Sequence, residues 1–156
     1  MKILFAAVGE PKAPWAQSAL DHYARFLKKY AGCEWQWVKA VSPHGKKPVD
    51  IRKLEGERLL AAVGKAAGFK IACDSSGKQF DSEAFAALWQ RETDQRGGRA
   101  IVMIGGAWGL SPTVIKWADL IWSFGTQTYP HELALTVAIE QVARVLSILR
   151  GDSYHK

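Results

Sequence analysis

Cysteine is nearly absent from this 156-residue chain: Cys33 and Cys73 stand alone and far apart, in no paired ligand spacing. Their scarcity excludes a disulfide framework and a cysteine-ligated metal site, and makes a reducing, cytoplasmic setting the default expectation. Long hydrophobic runs are missing too. No apolar stretch approaches the roughly 20 residues that cross a bilayer. The run from Ile3 to Val8 stops at Gly9 and Pro11, too short for the core of a signal peptide. There is no internal repeat and no low-complexity segment. Two phosphate-binding signatures are also lacking. The spacing G-x-G-x-x-G with a trailing acid does not occur, which disfavours a nucleotide-dependent oxidoreductase, and G-x-x-x-x-G-K-[S/T] does not occur, which excludes a P-loop.

What is present suits one soluble domain spanning residues 1–156, with 48% apolar and 23% charged residues. Acid is scarce in one half only. Residues 1–70 hold 13 Lys and Arg against 6 Asp and Glu, and the rest of the chain holds 8 against 9, so the net charge of +6 belongs to the first half. Arg25, Lys28 and Lys29 form one basic group; Lys46, Lys47, Arg52 and Lys53 form another. Such a field attracts polyanions through phosphate contacts or simply solvates a basic face, and charge alone does not decide between them.

Periodicity predicts strands at Lys2–Val8, Glu34–Ala40, Phe69–Cys73, Ala100–Ile104 and 119–124. Helices are expected at 14–30, 50–66, 81–92, from about 112, and at 131–149. The alternation argues for a parallel α/β sheet with helices on both faces. Ala100–Ile104 is apolar at every position, as strands buried on both faces are. Trp15, Trp35, Trp37, Trp89, Trp117 and Trp122 read as core.

In open parallel sheets, ligands sit beyond the carboxyl ends of the strands. Three such ends here run into glycine: Gly77, the Gly105-Gly106-Ala107-Trp108-Gly109 loop, and the segment from Gly125 to Pro130. Three such loops can hold a nucleoside by main-chain groups, or can merely turn the chain. The last helix is apolar around most of its girth, apart from one stripe of Glu132, Thr136, Glu140, Arg144 and Ser147. Glu140 and Arg144 stand in the favourable i,i+4 order for an ion pair. So apolar a helix is buried either in its own domain or against a second copy of the chain.

With these residues assembled, the chain resembles the SPOUT-class family of ribosomal RNA large subunit methyltransferase H from its first strand to its last residue. The resemblance is carried by the MKI…AVG opening, Leu54-Glu55-Gly56-Glu57, Gly77-Lys78 and Ile104-Gly105-Gly106 before Gly109-Leu110. It continues through Pro130-His131, Glu140-Gln141, Arg144 and the ending Arg150-Gly151-Asp152-Ser153-Tyr154-His155-Lys156. It implies an α/β fold with a C-terminal trefoil knot, and a homodimer that uses S-adenosylmethionine to methylate N3 of a pseudouridine in large-subunit ribosomal RNA. It also implies that the partners are ribosomal RNA or the ribosome and a second copy of the chain, with no membrane and no metal. A SPOUT methyltransferase acting on tRNA, or a non-catalytic RNA-binding module of this fold, stand as the alternatives.

Carried over position by position, the family's cofactor contacts fall on Cys73, Gly106, Gly125, Thr126, Gln127, Thr128, Tyr129 and Pro130. The resemblance puts the catalytic work on His131, Glu140, Arg144, Tyr154 and His155. His131, following the cofactor loop, takes the N3 proton or orients the base, or else caps and packs its helix. Arg144, paired with Glu140, stabilises charge on the base or clamps a phosphate, or is a structural ion pair. Tyr154 and His155 stack on and order the target base. Trp108 is placed to flank the cofactor. The chain departs from the family at Leu135, where Arg is common, and at Ala143, where Tyr is frequent.

Overall fold

The computed structural model describes residues 1–155. Five parallel strands form one sheet in the order β2-β1-β4-β3-β5. They are β1 (Lys2–Val8), β2 (Gly32–Val38), β3 (Phe69–Lys78), β4 (Arg99–Ile104) and β5 (Leu120–Trp122). The helices are α1 (Pro14–Leu27), α2 (Pro48–Val63), α3 (Ser82–Gln95), α4 (Pro112–Trp117) and α5 (His131–Arg150). Helices α1 and α3 both pack on α5 over one face of the sheet, whereas α2 and α4 pack together over the other.

Strand alternation sorts the core. On β1, Ile3, Phe5 and Ala7 join the α1/α3/α5 side while Ala6 and Val8 join the α2/α4 side; on β4, Val102 and Ile104 oppose Ile101 and Met103 in the same way. This is why Ala100–Ile104 has no polar position: both of its faces are covered. Helix α5 buries Leu135, Ala138, Ile139, Val142 and Leu146 in the larger cluster. It ends at Gly151, which takes the left-handed conformation at φ 67°.

Several boundaries differ from the sequence expectation. Strand β2 starts at Gly32, because pairing begins at Lys2↔Gly32 and runs in register to Val8↔Val38. Strand β3 runs five residues past Cys73. A bulge there lets Cys73 and Lys78 both face Trp122, which sequence alternation cannot show. Helix α1 stops at Leu27, where Lys29 and Tyr30 N–H tighten onto the carbonyls of Phe26 and Leu27. The tryptophans divide. Trp89 and Trp122 are core, Trp35, Trp37 and Trp117 are half-buried, and Trp15 is 52% exposed at the start of α1, against expectation. Leu135 is fully buried, so in this chain the position common for Arg in the family faces the core.

Candidate active site at the strand ends

A cleft of about 210 Å³ opens where the carboxyl ends of β3, β4 and β5 meet the start of α5. Its floor is backbone: Gly105, Gly106 and Gly109 on one side, Gly125 on the other. Ile104, Trp122, Phe124 and Ala134 supply apolar wall; Gln127, Thr128 and Tyr129 supply polar groups. Thr126 and Pro130 do not line it; Pro130 serves as the cap residue before α5. Trp108 is exposed and does not line the cleft.

The glycines are required for different physical reasons. Gly125 has φ 142°, a backbone state that disfavours any side chain, and it is fixed by Ser123, whose Oγ donates to the Gly125 carbonyl at 2.9 Å. Gly106 is needed for what lies behind it. A Cβ there would stand 2.8 Å from Glu55 Oε2 and 3.0 Å from Val8 Cγ1. Glu55 is 3% exposed; its Oε1 accepts from the Val41 N–H at 2.9 Å, and its Oε2 is buried without a partner. This buried carboxylate under the glycine loop is a residue the sequence had shown only as part of a motif.

The lining carries one carboxylate, Asp74, among main-chain, apolar and hydroxyl groups. Burial pushes the Cys73 thiol far above its usual range, with the Asp74 charge beside it adding to the effect. Asp74, at the rim, commits Oδ1 to the Ser76 N–H at 3.0 Å and its hydroxyl at 2.6 Å. A cleft with main-chain donors and acceptors, aromatic walls and one carboxylate, Asp74, fits a nucleoside bearing a sulfonium, whose ring and ribose are uncharged and whose sulfur is cationic.

His131 lines the cleft as the first residue of α5, with Nε2 3.4 Å from the Gly9 carbonyl. The next residue clamps this helix end to the β1–α1 loop: Glu132 accepts from the N–H groups of Lys12 and Ala13. Those bonds hold its carboxyl below the usual carboxylate range.

The other proposed catalytic residues gather elsewhere. Arg144 NH2 lies 2.6 Å from Glu140 Oε1, the Tyr154 hydroxyl donates to the same oxygen at 2.8 Å, and the Arg144 guanidinium stands 4.9 Å over the Tyr154 ring. Phe26 packs against that ring at 5.0 Å. His155 is separate again, with Nε2 2.9 Å from Glu83 Oε1 on α3. Lys156 lies outside the described residues. Glu140 follows His131 by nine residues, about 14 Å along a helix axis. One chain therefore brings His131 to the cleft and keeps the Glu140, Arg144 and Tyr154 cluster away from it.

A family model described as a predicted SPOUT methyltransferase matches residues 1–155. The chain belongs to the SPOUT methyltransferase family. Among curated relatives, ribosomal RNA large subunit methyltransferase H of Carboxydothermus hydrogenoformans is 35% identical over the whole of both chains. The protein of that description from Nitratidesulfovibrio vulgaris is 39% identical over 96% of this chain and 95% of its own. A probable methyltransferase from Bordetella pertussis Tohama I shares the fold, with a TM-score of 0.58 at 17% identity over 92% of this chain and 93% of that one. Phe124, Ala134 and Ile104 line the cleft beyond the residues singled out from sequence. Phe124 had been absorbed into the expected strand, which ends two residues earlier at Trp122.

Proposed function

We propose that this SPOUT methyltransferase transfers a methyl group from S-adenosylmethionine to N3 of a pseudouridine in large-subunit ribosomal RNA, as a cytoplasmic homodimer. The backbone-floored cleft carries the reading, and full-length similarity to enzymes named for large-subunit ribosomal RNA supplies the substrate class. When bound, the donor supplies an electrophilic methyl on a positively charged sulfur. Cys73, Gly106, Gly125, Gln127, Thr128 and Tyr129 would hold it, with Thr126 and Pro130 shaping the loop from outside the lining.

The protein's share of the reaction is alignment, exclusion of water and removal of one proton. The Cys73 thiol stays protonated and so does not compete as a nucleophile. His131, in the cleft lining, would accept the N3 proton that the base loses on methylation. Arg144, Tyr154 and His155 complete the site from a second subunit, with Glu140 orienting Arg144 and Tyr154; within one chain none of them lines the cleft. Two exposed apolar side chains support the homodimer reading. Trp15 and Leu133 are large, apolar and exposed, and they begin α1 and α5, which Glu132 ties together.

The test is transfer of labelled methyl to isolated tRNA, separate ribosomal subunits and assembled ribosomes. Label on large-subunit RNA and none on tRNA is the expected result. Label on tRNA would move the substrate to that class, and RNA binding without any affinity for S-adenosylmethionine would make the protein a non-catalytic module.

A further inference from the structure

A second cleft, of about 750 Å³, adjoins the first on the α2/α4 face, and Asp74 lines both. Its other walls are Arg52 from α2 and Leu110, Pro112, Thr113, Ile115 and Lys116 from α4 and the turn before it. The two helices are locked in place beneath it. A Cβ at Gly56 would meet Ser111 Oγ at 2.1 Å and Val114 Cγ2 at 3.3 Å, so glycine there lets α2 and α4 approach closely. This close approach holds Arg52, one turn before Gly56 on α2, and Lys116 of α4 in the lining of one cleft.

The cations of this cleft are uncommitted. Neither Arg52 nor Lys116 takes part in an ion pair among the described residues, and Arg52 Nε is buried with no hydrogen-bond partner. The single acid on the lining, Asp74, already binds Ser76 through Oδ1. Lys46, Lys47 and Lys53 stand at the same end of α2, so one of the two basic groups of the first half of the chain lies at the helix end that carries Arg52. A half-buried arginine and a lysine lining one groove with aliphatic walls fit a phosphodiester: the guanidinium fork takes two oxygens and the walls cover the sugar.

We infer that the Arg52–Lys116 cleft binds the backbone phosphate of the RNA strand flanking the target nucleotide, a site that sets substrate affinity and not donor affinity. The inference rests on the ribosomal RNA reading above and deepens it.

Methyl transfer to large ribosomal subunits, with S-adenosylmethionine saturating, tests it in wild type, Arg52→Ala/Lys116→Ala and Lys116→Glu. Lys116 is exposed, so its variant separates charge from folding. The expected result is a rise of about tenfold or more in KM for subunits and a shallower salt dependence of binding, by roughly one unit of log–log slope per lost contact. The dissociation constant for S-adenosylmethionine should stay within about twofold. Unchanged KM and salt slope in both variants would overturn the proposal. So would an effect on subunits that disappears for a naked RNA stem-loop measured by anisotropy, since the cleft would then be gripping ribosomal protein. If wild type modifies no ribosomal subunit, the substrate reading fails by itself. The cleft is then judged by the anisotropy of a single-stranded RNA oligonucleotide: equal affinity in wild type and variants rejects it, weakened and less salt-sensitive binding in the variants sustains it.

Discussion

Gly106 shows how a glycine at a ligand loop can be required from behind. Its missing Cβ does not face the cleft; it makes room for Glu55 Oε2 and Val8 Cγ1. Glu55 cannot swing aside, because it is buried and anchored to the Val41 N–H. Gly106→Ala should therefore lower stability by about 1–3 kcal/mol, the usual cost of overpacking, and should weaken S-adenosylmethionine binding by displacing the floor. Melting and calorimetry read these two effects. Adding Glu55→Ala removes the obstructing oxygen, so the double variant should melt higher than the two single losses added together; strict additivity would place the strain elsewhere. His131 calls for the opposite pattern. It borders the cleft with only a long contact to the Gly9 carbonyl, so His131→Ala should leave donor affinity nearly intact. Turnover should drop by about a hundredfold, the lower end for losing a general base. An unaltered kcat would remove His131 from the proton transfer.

At the scale of elements, the C-terminal tail is the segment whose behaviour sequence did not anticipate. A short tail is ordinarily frayed, yet here Asp152 accepts from the Tyr30 hydroxyl, Asp152 N–H bonds to the Ser147 carbonyl at 2.9 Å, and Tyr154 docks on Glu140 and Arg144. Burial, with the neighbouring Tyr23 and Glu140 oxygens, raises the Tyr154 hydroxyl well above its ordinary 10.0. The folded pKa thus exceeds the unfolded one. Tail docking is fully present below about pH 10 and is lost as pH climbs toward the raised folded value. Amide exchange of residues 151–155 should accelerate in that alkaline range. Tyr154→Phe should exchange faster already at neutral pH, by the loss of one hydrogen bond of about 1 kcal/mol, and should show no alkaline step from this group. If the variant's tail stays as protected as wild type, Glu140 is not its anchor. The element order and the buried β4 were legible because apolar runs and 3.6-residue stripes report burial directly. The β3 bulge, the exposed Trp15 and the docked tail were not, because register, neighbour geometry and long-range hydrogen bonds leave no periodic mark. The knot likewise belongs to the resemblance, since threading has no sequence period.

For the whole molecule the decisive fact is separation. His131 stands at the donor cleft, whereas Glu140, Arg144 and Tyr154 cluster further down α5 and His155 is held by Glu83 on α3. About 14 Å of rigid helix lies between His131 and Glu140, and no rotamer change closes that gap. Two readings follow. In the first, the cluster only fastens the tail and α1 to α5, and one chain holds a whole site. In the second, a two-fold pair lays the cluster of one subunit beside the cleft of the other. Complementation separates them. His131→Ala and Arg144→Ala homodimers should each be nearly inactive, since each harms both sites. A mixed dimer pairs one doubly damaged site with one that takes its cleft from the Arg144→Ala subunit and its cluster from the His131→Ala subunit, so that this second site is wild type throughout. Co-expression with two different affinity tags and tandem purification should thus recover about half the activity of a wild-type dimer, one of its two sites, the stoichiometry expected of closed two-fold symmetry. Were each site built within a single subunit, with the cluster only fastening the tail, the Arg144→Ala homodimer would keep its activity, and the mixed dimer would fall midway between its parents and gain nothing by complementation.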